Sequence, residues 1–285
     1  MPELLPIART RYRKPPVIER ALVIHLGAPI AEEKFQLKVD EWRTALVKDF
    51  PKLETVTEWT LHVIEKDGMP VMDTAGQTMT LRQTFWQMTP GQKRKQGIQL
   101  WQDKISFNLL GELGNPREFE ELENLTSTWL PRWAADFEVG NYSGVTLQYV
   151  NLLSKETLPN FFENNQLNIG GAVRLFGGVP VQRNLLLPPF DFQVNVRVDN
   201  VEPKARVSAH CVSVDAPVEQ GPTMHLRFTA TTNLGQPPRS IPLENLKNEG
   251  RLTHNLIIEA FEAYFTDAAK AVFEPYVSNS PGSTS

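Results

Sequence analysis

Five histidines, His25, His62, His210, His225 and His254, and the single cysteine, Cys211, are the side chains best suited to ligate a metal or to act as nucleophile and base. None of the histidines lies in an HExxH or HxxxH pattern or at a Cys/His spacing that binds zinc, so the sequence predicts no metal centre. His210 and Cys211 adjoin, yet on a strand adjacent side chains point to opposite faces, which removes them as a catalytic pair. In phase with Val207 and Ala209, Cys211 reads as core. The glycine pairs 170–171 and 177–178 lack the flanking residues of a phosphate loop and read as turns. Glu118, Glu120, Glu121 and Glu123 suit the positive end of a helix better than a magnesium site. No catalytic set and no cofactor is predicted, and the chain points away from an enzyme.

One constellation remains. Strand phase places Arg197 on one strand, Arg206, Ser208 and His210 on the next, and His225 and Arg227 on a third, all pointing away from the apolar face. If those strands are neighbours they form a cationic surface suited to an anionic ligand, a nucleic acid or nucleotide, or an acidic partner segment.

The elements that must position these residues follow from periodicity. Val17 to His25 reads as a strand; Phe35, Val39, Trp42 and Leu46 mark one face of a helix that Pro51 stops. Trp59, Leu61 and Val63 alternate along a strand that turns at Asp67-Gly68, Thr78 to Trp86 supplies another, and Gly97 to Leu110 reads as a hairpin. A helix is predicted with Asn115 as N-cap and Pro116 at its first position, kinked or ended by Pro131. Val145 to Leu153 is a strand, residues 155–188 loosen into a boundary, and residues 190–198, 204–214 and 223–232 alternate again. Thr253 is expected to cap the last helix, whose apolar face carries Ile257, Phe261, Tyr264, Phe265, Ala268 and Val272.

These elements predict an α+β chain of mostly antiparallel sheet with long amphipathic helices, arranged as two similar sheet-plus-helix lobes. The expected divisions are a flexible basic arm (1–14), an N-terminal lobe (15–160), a C-terminal lobe (161–277) and a disordered tail (278–285). Chemistry is expected from side chains on strand faces.

Across 285 residues, 29 Lys and Arg against 33 Asp and Glu give a net charge of −4, so the chain as a whole has no attraction to phosphate backbones. Basic residues cluster only at Arg9, Arg11, Arg13 and Lys14 and at Lys93, Arg94 and Lys95, both read as solvated. One cysteine cannot close an internal disulfide, no stretch reaches the roughly 20 apolar residues of a membrane span, and the first residues lack a signal-peptide pattern. A cytoplasmic protein without membrane contact is expected.

Pro16-Val17-Ile18-Glu19 opening a strand, Phe50-Pro51 ending a helix, Gln99-Leu100 to Asn108, and Leu147-Gln148-Tyr149-Val150-Asn151 occur in that order. Over residues 15 to about 160 the chain resembles a sporadically distributed, uncharacterised family of bacterial and archaeal proteins with a Pro-x-Val-Glu-like start and a Leu-x-Tyr-Ile-Asn-like strand. It departs from them in Ile18 before Glu19 and in Val150. His254 and Phe261 echo a His and a Phe on the family's last helix. The resemblance implies a prokaryotic protein and, from the patchy distribution, a place in antiviral defence or CRISPR-linked gene clusters. The expected function is a non-enzymatic accessory or regulatory subunit that binds another protein of its operon or its own copies. The alternative is a nucleic-acid or nucleotide binder using Arg197, Arg206, His210, His225 and Arg227, and a third reading is a hydrolase built around His210 and His225.

Overall fold

The computed structural model describes residues 5–6, 10–66, 69–88, 91, 93–111, 118–163, 166–175, 179–180, 191–214, 223–232 and 240–277. The turn expected at Asp67-Gly68, the Asn115 cap with Pro116, the glycine pair 177–178 and the tail 278–285 lie outside the described residues.

Thr10–Tyr12 (β1) leads into Val17–His25 (β2), then Glu32–Leu46 (α1), Lys52–Lys66 (β3), Met69–Met88 (β4), Arg94–Leu100 (β5), Lys104–Leu110 (β6) and Phe119–Phe137 (α2). Gly144–Leu153 (β7), Asp191–Val198 (β8), Ala205–Val214 (β9), Thr223–Thr232 (β10), Leu246–Tyr264 (α3), Asp267–Val272 (α4) and Pro275–Val277 (β11) follow. Nine strands join in one sheet of order β8-β9-β10-β7-β2-β6-β5-β4-β3, every neighbour antiparallel. The chain is thus α+β. Strands from residues 15–160 and from 161–277 share this sheet, joined by the β7–β10 ladder.

Register turns sequence alternation into a continuous apolar layer. Leu53, Phe85, Ile98, Phe107, Leu22, Leu147, Ala230, Val207 and Val196 stand side by side across all nine strands. Helices α1, α2 and α3 cover this face, and their buried stripes join the same core. At the β8 edge Val196 is 51% exposed.

Two helix starts differ from expectation. Helix α2 begins at Phe119, where the Glu121 side chain accepts from the Glu118 amide (3.0 Å) in a capping box. It continues through Pro131, which sits on the exposed side, where water can take up the carbonyl the proline leaves unbonded. Helix α3 starts at Leu246. Thr253 is interior to it, donating to the Glu249 and Gly250 carbonyls (3.0 and 2.8 Å) rather than capping. Helical periodicity through Leu246, Gly250 and Thr253 outweighs the capping chemistry of a lone threonine.

The described part of the expected free arm is docked. Strand β1 pairs with β11, Arg11 bridges to Glu118 (3.5 Å) and Glu120, and Arg13 and Lys14 donate their amides to Glu274 and Phe273 (3.1 and 3.0 Å). Arg94, expected in a solvated loop, opens β5, pairs with Glu54 and lies 5.0 Å over the Trp86 ring.

Candidate functional site

The outer face of the sheet carries the sequence-derived constellation. Strands β8, β9 and β10 are neighbours, so Arg197 stands directly opposite Arg206, Gln193 opposite His210, and His210 opposite Arg227. His225 lies one step further along β10, opposite Val212, and Ser208 sits between Asn195 and Thr229. Arg206 and Arg227 are exposed, and Arg206 has no ion-pair partner among the described residues. Arg197 is held by Asp199 (2.8 Å), which also meets Lys204 (3.7 Å). In the Arg227 row, Val150 and then Glu19 continue across β7 and β2. Burial raises the Glu19 carboxyl above its ordinary range while Arg227 and Arg82 oppose the rise. Burial, seconded by Arg227, lowers His225.

Cys211 faces the other way and is fully buried, as core. The carboxylates of the α2 start are engaged: Glu118 and Glu120 with Arg11, Glu121 in the cap, and Glu123 with Arg251 (2.7 Å). Among the described residues no three His, Cys, Asp or Glu side chains gather as a metal site, and no helix is long and apolar enough to cross a membrane.

A second cluster lies on the helix face, beneath α2 and α3. Arg20 shares the inward phase of Leu22 and Ile24 and is 7% exposed. Its guanidinium lies 4.9 Å over the ring of Tyr149, which is 3% exposed. The Tyr149 hydroxyl and Nδ1 of His254 share a hydrogen bond (2.8 Å), and the His254 ring stacks on Phe119 (4.3 Å between centroids, 4° between planes). Burial, then Arg20 and Arg11, lowers His254 to about 3, so the imidazole is neutral at physiological pH. Burial raises the Tyr149 phenol well above its ordinary value against the opposing charge and hydrogen bond of Arg20, so the hydroxyl stays protonated. Beside these groups is a cavity of about 50 Å³, also lined by Val17 and Phe261.

Sequence reasoning did not select Arg20 or assign a role to Tyr149. The signal was a charged residue in the apolar phase of a strand, and a histidine on the stripe Gly250, His254, Ile257, Phe261. Val17, Tyr149, His254 and Phe261, far apart in the chain, meet at this cavity.

Compared with family models, curated proteins and solved structures, the chain matches none of them.

Proposed function

We propose that the protein is an accessory subunit that binds an acidic segment of a protein partner along the outer face of β8, β9 and β10. The supporting observation is the direct cross-strand pairing of Arg197 with Arg206 beside that of His210 with Arg227. Like charges opposite one another on a sheet are destabilising; Asp199 engages Arg197, and an anionic partner would supply the counter-charge that Arg206 lacks among the described residues. The patch reaches the sheet edge at β8, whose outer backbone groups suit strand addition by the same partner.

Tagged protein captured from its host, with and without nuclease, tests the reading against an Arg206→Ala/Arg227→Ala variant. The expected result is a stoichiometric protein that survives nuclease and is lost in the variant and at high salt. A capture that nuclease abolishes transfers the face to nucleic acid, whose binding falls with salt in proportion to the phosphates contacted. A capture unchanged in the variant overturns the assignment of the face.

A further inference from the structure

We propose that the cavity between β1, β2, β7, α2 and α3 is a binding site for the carboxylate of a small, largely apolar acid, held by Arg20. Arg20 is 93% buried by its 7% exposure, and its Nε has no hydrogen-bond partner. A buried guanidinium without a counter-ion is costly and calls for an anion. The described groups around it do not supply one. Glu118 and Glu120 are taken up by Arg11, the Tyr149 hydroxyl, bonded to both His254 and the Arg20 guanidinium, is neutral, and the imidazole faces Arg20 uncharged. On the inner wall Arg20 is thus a buried cation with an unbonded Nε and no carboxylate of its own, suited to a single negative charge.

The remaining walls set the rest of the ligand. Phe119, Ile257, Ile258, Phe261 and Val17 are apolar, and about 50 Å³ accommodates a carboxylate with a few carbons rather than a large anion. Glu118 and Glu120 at the rim disfavour a dianion such as phosphate. A second cavity of about 130 Å³, lined by Leu22, Leu130 and Leu246, also borders Phe119. In this proposal an apolar tail displaces the Phe119 ring, which lines both cavities, and extends into the second. The arm forms the cover: Arg11, Tyr12 and Pro15 line the cavity, and the Tyr12 hydroxyl is tied to Glu262.

The test is calorimetric titration of the full chain with straight-chain monocarboxylates from acetate to octanoate, with octanol and inorganic phosphate as comparisons, for the natural protein and Arg20→Met. Expected are saturable binding that tightens with chain length, no binding of octanol or phosphate, and at least a tenfold loss in Arg20→Met. Because removing an unpaired buried charge relieves the fold, Arg20→Met should also melt at a higher temperature than the unliganded natural protein. Absence of acid binding, equal binding in the variant, phosphate binding as well as the acids, or a lower melting temperature in the variant overturns the proposal. Arg206→Ala/Arg227→Ala, on the opposite face, should bind the acids as the natural protein does, which separates this site from the partner-binding face.

Discussion

His254 is held neutral by the groups packed on it, and that neutrality makes stability depend on pH. Its folded pKa, about 3, lies below the roughly 6.5 of an unfolded histidine, so between those values the unfolded chain binds a proton the folded chain refuses. Stability from this group is complete above pH about 6.5 and falls as the pH drops towards 3, by at most about 1.4 kcal/mol per pH unit. His25 and His225, also lowered by burial, act in the same direction, and Glu19, raised by burial, acts in the opposite one. The contribution of His254 is therefore read by difference. His254→Gln retains an acceptor for the Tyr149 hydroxyl and should lose about 2 kcal/mol less than the natural protein between pH 6.5 and pH 5 in urea unfolding. Equal losses would show that His254 takes up its proton in the folded state.

Gly97 makes a sharper case at the same scale. A Cβ there would stand 2.6 Å from Trp86 Cε3, 2.7 Å from Cζ3 and 3.1 Å from the Phe85 carbonyl oxygen. The ring has no easy escape, since Trp86 Nε1 donates to Glu54 (2.9 Å) and Arg94 lies 5.0 Å over the ring. Gly97→Ala should destabilise by about 1–3 kcal/mol, as overpacked sites do, measured as a shift in urea midpoint at unchanged slope.

At the scale of elements, helix α2 carries a removable fault. Pro131 lacks the amide that would bond the Ser127 carbonyl, and both residues are exposed. Pro131→Ala restores the bond without touching the core and should stabilise by about 1–3 kcal/mol, provided the helix keeps its line. A loss of stability would show that the proline sets the path on which Phe137 packs against Phe35 and Trp42 of α1. The same helix shows what sequence patterning can and cannot deliver. The stripe Phe119, Leu122, Trp133 is legible because burial on one side imposes a period near 3.6, and the alternation in β8, β9 and β10 is legible because a half-buried strand imposes a period of two. Helix starts at Phe119 and Leu246 were not, since a capping box and an interior threonine look alike in a string of letters. For the cationic face, phase indicates which side each residue occupies. The adjacency of β8, β9 and β10 and the insertion of β7 between β10 and β2 depend on contacts far apart in the chain. Arg20 was legible in phase, but the unbonded state of its Nε depends on α2 and α3 closing over it.

At the scale of the molecule, the question is whether one sheet means one folding unit. Strand β7 pairs with β2 on one side and β10 on the other, and both ladders bury side chains in the same core beneath α2 and α3. Opening the β7–β10 ladder would expose Leu147, Tyr149, Leu226 and Phe228 together, so neither half can unfold without stripping the other of apolar cover. The chain carries its own probes for this. All six tryptophans fall between Trp42 and Trp133, whereas the only thiol, Cys211, is fully buried on β9. Tryptophan fluorescence thus follows the first part of the sheet, and the labelling rate of Cys211 follows the far part. Across a urea series the two probes should give one midpoint. Separate midpoints, with Cys211 becoming reactive while the fluorescence is still native, would mean that β8, β9 and β10 peel from β7 as a unit of their own, and that the proposed partner-binding face opens independently of the rest.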